Sequence, residues 1–463
     1  MAPSTIDAAA ISARLDRLPD TRSVWKLVAL LSFGLFFELY DLLFTGYVAP
    51  DLVKSGILKP ATAGLFGMTG LAGFIASLFS GLFVSTLLCG YLADRYGRRT
   101  IFTYSLLWYS VATAVMAFQR TAFGLDFWRF VGGLGIGVEI ITIGTYLTEI
   151  IPKRIRGRAF AVSQVIGFLA VPVAALLAYW LVPAAPFGFA GWRWVVLIGS
   201  AGAVFVWMIR RELPESPRWL AQQGRLDEAD RIVTQLEARV RDEYQQELPG
   251  AVEMPPQPAD RGKFRDVWDV PYRDRTVMLI VFHIFQTIGY YGFANWAPTL
   301  LIQQGITVTN SLLYTGIIAA AAPLGPLVGV FIADKLERKT VLVWTAGASI
   351  ACGLAFSQVR YSVWIVLLGI GLTLASNIIS YTFHLYQQEL YPTGIRSRAS
   401  GFVYSFSRLS AIFNAFIIAF LLQRFGVTGV FIFIAAAMAI VMITVGVKGP
   451  KTRGIALEEL SSR

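Results

Sequence analysis

Apolar runs long enough to cross a lipid bilayer dominate this chain. An α-helix rises about 1.5 Å per residue, so the hydrocarbon layer, roughly 30 Å thick, calls for about 20 apolar residues. Twelve stretches approach or exceed that length: 26–50, 64–92, 101–119, 125–151, 159–183, 192–210, 276–302, 311–333, 340–357, 362–388, 399–422 and 427–447. Within lipid every backbone N–H and C=O must find its partner inside the segment, so such runs fold as helices. Of the 463 residues, 56% are apolar and only 15% charged, against about 25% charged in a soluble domain. The expected fold class is an all-α integral membrane protein with twelve transmembrane helices.

The formal charge of +11 reports orientation. If both termini are cytoplasmic, 32 of the 40 Lys and Arg residues fall on that side. Lys54, Lys59, Arg120, Arg193, Arg360 and Arg424 fall on the other. The opposite orientation reverses the ratio, so the positive-inside rule selects cytoplasmic termini. No basic, aromatic-laced soluble domain is left over to bind nucleic acid. The first 25 residues hold no apolar core of signal-peptide type, so the first span is expected to act as its own insertion signal. Cys89 and Cys352 lie within expected spans and read as small packing residues.

A polar stretch divides the spans six and six, and the halves repeat each other. Ala93-Asp94-Arg95-Tyr96-Gly97-Arg98-Arg99 aligns with Ala333-Asp334-Lys335-Leu336-Glu337-Arg338-Lys339 at an offset of 240. Glu149, Pro152 and Arg156 align with Glu389, Pro392 and Arg396 at the same offset. Equal offsets at equivalent helix ends imply two six-helix parallel repeats. The expected organisation is a cytoplasmic N-terminal segment (1–25), a first half (26–211), a central cytoplasmic loop (212–275), a second half (276–447) and a cytoplasmic tail (448–463). In the loop, Leu226, Ala229, Val233, Leu236 and Val240 recur at helical spacing among charges, the mark of an amphipathic helix. Pro249, Pro255, Pro256 and Pro258 read as a flexible connection.

These motifs carry a resemblance over nearly the whole chain. Gly90-Tyr91-Leu92-Ala93-Asp94-Arg95-Tyr96-Gly97-Arg98-Arg99 resembles the signature between helices 2 and 3 of the major facilitator superfamily. Arg129, Gly132, Gly133, Gly135 and Gly137 resemble its fourth-helix motif. Glu149-x-x-Pro152-x-x-x-Arg156-Gly157 and Pro214-Glu215-Ser216-Pro217-Arg218-Trp219-Leu220 are similar to the sugar-porter and organic-ion-porter branches. Helix 7 departs from sugar porters, which carry paired Gln and a following Asn; here it reads Gln286-Thr287-Ile288-Gly289-Tyr290-Tyr291, then Asn295-Trp296-Ala297-Pro298. Glu139 and the Glu389–Arg396 stretch look more like bacterial metabolite:proton symporters, and within them the chain most resembles niacin transporters. The resemblance implies a transporter of the bacterial inner membrane cycling by alternating access, and since two halves suffice for such a cycle a monomer is expected.

Ionisable groups within a span are expensive and usually functional. Those singled out deep in the spans are Glu38, Asp41, Arg129, Glu139 and Arg408, with His283 and His384 as weaker candidates. By helical rise, Asp41 and Arg129 lie about 13 and 6 Å inside the outer ends of their helices. That difference is within reach of an Arg side chain. An apolar surrounding favours a protonated carboxyl and a neighbouring guanidinium favours the carboxylate, so making and breaking the pair could load and release a proton. The resemblance implies the same role, since sugar:proton symporters place an acid and an Arg at matching positions. A static structural salt bridge is the alternative. Glu38, one turn away, and Glu139, near the midplane, read as further proton sites, as ligands for a cationic group, or as neutral hydrogen-bonded carboxyls.

Arg408 has no acidic residue at matching depth in the second half. Its planar fork suits a carboxylate; capping of unwound backbone is the alternative. Tyr290, Tyr291, Asn295, Trp296, Tyr381 and Tyr404, with Tyr386, Phe37 and Phe44, supply flat walls and polar points for a small ring. Aromatic packing alone is the competing account for each. Asp94, Arg95, Arg98, Glu149, Arg156, Asp334, Arg338, Glu389 and Arg396, at helix ends, are expected to gate. The glycines of helix 4 are expected to let it pack closely.

The expected function is proton-coupled import of a small organic acid, with nicotinate the preferred substrate. No cofactor and no metal is expected, and nothing in the sequence supports an enzyme. Alternatives are another aromatic or aliphatic acid, an organic cation or a sugar, and a membrane receptor without turnover.

Overall fold

The computed structural model describes residues 7–59, 61–88, 92–202, 212–251, 264–270, 272–333, 336–391 and 393–452. Their regular structure is helical, in the order α1 (Ala8–Asp16), α2 (Arg22–Lys54), α3 (Gly70–Leu88), α4 (Leu92–Tyr96), α5 (Arg98–Met116), α6 (Ala122–Ile150), α7 (Arg156–Phe168), α8 (Ala170–Ala184) and α9 (Gly191–Ser200). Then follow α10 (Pro217–Gln222), α11 (Leu226–Tyr244), α12 (Tyr272–Ala294), α13 (Ala297–Gln303), α14 (Val308–Ala319), α15 (Leu324–Ala333), α16 (Arg338–Gln358), α17 (Ser362–Glu389) and α18 (Thr393–Lys448). Among the described residues no strand forms, and eight helical stretches are long and apolar enough to cross a membrane.

Proline breaks three of the expected spans. Pro172, Pro298 and Pro323 each stand four residues beyond the last residue of a helix: Phe168 of α7, Ala294 of α12 and Ala319 of α14. A proline offers no N–H to that carbonyl, so the ladder stops and a new helix starts within a few residues. The last two expected spans are one 56-residue stretch, α18, turned at Gly426. That glycine has φ 64°, a conformation that strains residues with a side chain. The span expected over 64–92 starts later, at Gly70, because Phe66, Gly67 and Gly70 all take positive φ and make an irregular loop first. The span expected over 192–210 is helical as far as Ser200, and its end lies outside the described residues, as do Cys89 and the stretch 252–263 with its prolines.

Helix α6 lies against both α3 and α5, α12 against α18, and α16 against α17 and α18. Between these groups α3 meets α18, α8 meets α14, and α13 meets α2. Glycines make the tightest of these crossings. A methyl group on Gly133 would overlap the Leu78 carbonyl oxygen, and one on Gly81 the Phe130 carbonyl oxygen. Gly135 packs on Trp108 and Gly137 on Ser85, at 2.7 and 2.9 Å from where a Cβ would stand, whereas Gly132 has room to spare. On α2, Gly46 faces the Asn295 and Ala294 carbonyls, at 2.8 and 2.9 Å from where a Cβ would stand.

The helix expected in the central loop is α11. It buries Ala229, Val233, Leu236 and Val240, with Leu226 half-buried. Against it docks α1, whose Ile11 and Leu15 are fully buried and whose N-cap, Asp7, accepts from the Ala10 N–H at 2.7 Å. Polar contacts fasten the dock. Arg14 and Arg17 both donate to Glu237, at 2.8 and 2.6 Å, and Arg14 also pairs with Asp230. Asp16 accepts from the Lys153 N–H and from Arg218. The α1 segment thus ties α11 to the chain between α6 and α7.

Candidate functional site

Helix α2 brings two acids one turn apart into the middle of the protein. Asp41 meets Arg129 of α6: Nη1 donates to Oδ2 at 2.8 Å, while Nη2 donates to the Asp41 carbonyl at 2.6 Å and to Thr45 Oγ1 at 2.5 Å. Thr113 of α5 donates to the other carboxylate oxygen at 2.9 Å. Phe44 lies under the guanidinium, 4.4 Å from ring centre to Cζ. Both partners are 1% exposed, so the pair is dry. An apolar sheath strengthens an ion pair and makes either partner costly alone.

Arg408 occupies a different setting. It is 3% exposed and forms no ion pair among the described residues. Its Nη1 donates to Tyr291 of α12 at 3.0 Å, and its Nη2 to Tyr404, one turn earlier on α18, at 2.9 Å. The Tyr291 ring in turn meets Phe79 of α3 edge-on at 4.7 Å, so this arginine stands where α3, α12 and α18 converge. His283 and His384 place their rings 5.4 and 5.8 Å from that of Tyr404. His283 Nε2 is paired with Gln387 Oε1 at 2.6 Å.

Two further carboxyls, Glu38 of α2 and Glu139 of α6, have no cation bonded to them among the described residues. Glu139 is wholly buried and forms no ion pair among the described residues. Its Oε1 is 3.1 Å from where a Cβ on Gly34 would stand, one turn before Glu38 on α2. Glu38 is 3% exposed and its Oε2 is unpartnered. The Tyr109 hydroxyl of α5 faces Glu139 within hydrogen-bonding reach and lies in the electrostatic reach of Glu38 as well.

The remaining candidates disperse. Tyr290 lines a small cavity of about 50 Å³ with Tyr47, Thr315 and Asn377. Asn295 and Trp296, both buried, form the break between α12 and α13 against Gly46. Tyr381 packs on Gly329 of α15. A larger cavity of about 450 Å³ lies elsewhere, between Arg99, Trp219 and Arg239, and touches none of the buried charges.

Ion pairs join the helix ends. Arg98 donates to Glu149 at 3.0 Å and to Asp94 at 2.6 Å, and Arg338 reaches Glu389 at 3.3 Å. Arg156 lies 3.7 Å from Asp16 and also donates to the Ile151 carbonyl. Arg95 is exposed above the Tyr96 ring. Asp334 and the side chain of Arg396 lie outside the described residues.

Residues 27–463 match the model of the family described as sugar (and other) transporter. The chain belongs to that family, within the major facilitator superfamily. This major facilitator protein is a multi-pass membrane transporter of metabolites and not an enzyme. A putative metabolite transport protein of Bacillus subtilis is 30% identical to it over 443 residues, covering 95% of each chain. The niacin transporter NiaP of Acinetobacter baylyi is 29% identical over 453 residues, 97% of this chain and 99% of that one. The transporter's fold is similar to the xylose transporter XylE of E. coli in an inward open conformation: TM-score 0.71 at 18% identity, covering 95% and 99% of the two chains.

Sequence reasoning passed over several members of the transporter's interior. Thr113, Thr45 and Gln387 are uncharged and look like any polar residue in a span. Phe79 has no signal beyond its size. Asp126 could have been found by its charge alone: it is 1% exposed, accepts from the Leu65 N–H at 3.2 Å, and leaves Oδ1 unpartnered.

Proposed function

We propose that this transporter imports a small organic acid by proton symport, with nicotinate as the preferred substrate. The observation that carries the reading is Arg408, a buried guanidinium whose Nη1 and Nη2 rest on the phenols of Tyr291 and Tyr404 rather than on a carboxylate. Neutral hydroxyls satisfy hydrogen bonds but leave the charge uncompensated, and an incoming carboxylate supplies both. The surrounding rings of Tyr291, Tyr404, His283 and His384 favour a flat substrate. The similarity to a niacin transporter points the same way.

Asp41 carries the proton in this scheme. Protonation of its carboxyl ends the ion pair with Arg129, and its release restores the pair. The scheme takes twelve crossings in two six-helix halves, both termini in the cytoplasm, and a monomer in a bacterial inner membrane. The Arg98–Glu149 and Arg338–Glu389 pairs close the cytoplasmic side while the site faces outward. A different acid, an organic cation or a sugar would keep the scheme and change the site's occupant.

The test is uptake of labelled nicotinate into liposomes containing the pure protein, with and without an inward proton gradient. Accumulation that needs the gradient and disappears in Asp41→Asn is the expected result. Uptake indifferent to the gradient keeps the substrate and removes symport. Saturable binding without uptake leaves a receptor, and no binding at all removes nicotinate.

A further inference from the structure

Asp41 by itself does not connect the two sides of the membrane. Its pair with Arg129 is 1% exposed and lies about 13 Å inside the outer end of α2, with Phe44 across the guanidinium. A proton taken up there has a further stretch of dry protein to cross before it reaches the cytoplasm. It crosses such a stretch only between groups that both receive a proton and give it away.

Three acids supply such groups along α2, one turn apart. Glu38 is three residues before Asp41, on the same face and roughly 4.5 Å deeper along the axis. Gly34 is one turn deeper again, and there the third carboxyl comes in from α6: Glu139 Oε1 is 3.1 Å from where a Gly34 Cβ would stand. Helix α5 runs alongside with two hydroxyls a turn apart. Thr113 donates to Asp41 at 2.9 Å, and Tyr109 faces Glu139 within hydrogen-bonding reach. Gly135, one turn before Glu139, brings α6 against Tyr109, whose Cβ lies 3.1 Å from where a Gly135 Cβ would stand. All three acids are buried, and Glu38, between the other two along the helix, keeps Oε2 without a hydrogen-bond partner. Two cations act on this row: Arg129, bonded to Asp41, and Arg408, bonded to Tyr291 and Tyr404, whose charge reaches Glu38.

We propose that Glu38 and Glu139 form the inner leg of the proton path, receiving the proton of Asp41 and passing it toward the cytoplasm, with Tyr109 the positioning residue that holds Glu139 in line. Without a cation bonded to them, Glu38 and Glu139 rest as neutral acids. When the site opens inward, Glu139 gives its proton to water. Its carboxylate takes the proton of Glu38, and Glu38 takes that of Asp41. One O–H bond breaks and one forms at each hand-over. Glu38 and Glu139 end neutral, as they began, and the Asp41 carboxylate returns to Arg129. This inference rests on the symport reading of Asp41 and adds the route by which its proton leaves.

The test compares two modes of nicotinate transport by the full-length protein in liposomes. One is accumulation driven by an inward proton gradient. The other is exchange of labelled for unlabelled nicotinate without a gradient, in which the carrier shuttles loaded and no proton has to leave. In Glu139→Gln accumulation is expected to fall at least about ten-fold while exchange stays within about three-fold. Tyr109→Phe is expected to lower accumulation by a smaller factor, and Glu139→Asp to recover part of the loss. Accumulation unchanged in Glu139→Gln overturns the inference and leaves symport at Asp41 standing. Equal loss of both modes overturns it as well, because Glu139 then belongs to the frame or to the substrate's own site. If Glu139→Gln does not fold, the same two modes are read in Glu38→Gln, where lost accumulation with retained exchange supports the route and any other result overturns it. An unaltered protein without gradient-dependent uptake removes the symport reading itself, and the route with it.

Discussion

Arg98 donates to both carboxylate oxygens of Glu149, at 3.0–3.2 Å. The equivalent pair 240 residues later, Arg338 with Glu389, is a single contact of 3.3 Å and is more exposed. The repeat seen in the motifs is thus also a repeat of ion pairs, with the first copy the stronger. Charge-assisted bonds of this kind contribute about 1.5–3 kcal/mol when shielded and less when wet. Arg98→Ala is expected to speed alkylation of a cysteine placed at the buried Ser400 by about ten-fold, and Arg338→Ala by a smaller factor. The readout is labelling from the face that carries α1. Unchanged labelling in both variants would make these pairs structural props and not gates.

Removing Arg129 leaves Asp41 with Thr113 alone in an apolar sheath. Breaking one partner out of a buried pair destabilises by roughly 3–5 kcal/mol. Arg129→Ala should lower the unfolding temperature in detergent by several degrees. Arg129→Lys should recover little, because one ammonium cannot span Asp41 Oδ2, its carbonyl and Thr45 together. Full recovery by lysine would mean that charge alone matters at this position.

Glycine spacing on α6 gives a paired stability test. Gly133→Ala drives a methyl group into the Leu78 carbonyl, an overpacking that costs about 1–3 kcal/mol. Gly144, on the same helix, has nothing within 4 Å of the added carbon, and Gly144→Ala should hold or slightly raise stability. Thermal unfolding of the two variants side by side decides the matter. Equal effects would show that the α3–α6 crossing can open without penalty.

The grip of α1 depends on pH through Glu237. Burial pushes its carboxyl up, but the hydrogen bonds from Arg14 and Arg17 outweigh that and hold it below the ordinary carboxylate value. A lowered value in the folded state means that the stabilisation is complete above the ordinary value, near 4.3, and is lost as pH falls through the folded one. Proteolysis near residues 7–20 should therefore be slow at pH 7 and 5, and faster below about pH 4. Arg14→Ala should raise cleavage at pH 7 several-fold. Cleavage independent of pH would place the grip in Ile11 and Leu15 alone.

The membrane helices were legible because lipid imposes one length and one pattern on them. The Asp41–Arg129 contact was legible because charge in a span is rare and helical rise converts position into depth. The company of Arg408 was only half legible. The lack of an acid beside it in its own half followed from composition, but the choice of Tyr291 and Tyr404 over Tyr381 and Trp296 depends on how α12 and α18 are rotated. Pro298 stands in the helix 7 motif, and its effect, ending α12 at Ala294 and bringing the Ala294 and Asn295 carbonyls against Gly46 of α2, follows from one missing hydrogen bond and the packing around it. Asp126 was overlooked because it stands beside the stronger signal of Arg129.

The docking of α1 also sets an order of events during synthesis. Ile11 and Leu15 emerge from the ribosome early, yet the helix that covers them ends at Tyr244. At about 5–20 residues per second, roughly 10–45 s pass before that cover exists. Through that interval the first spans enter the membrane with an unsatisfied, sticky leader, and Arg14 and Arg17 wait for a glutamate not yet translated. Closing this clasp is a late act of assembly, and a ribosome that stalls before residue 237 leaves behind a nascent chain without the carboxylate that Arg14 and Arg17 share.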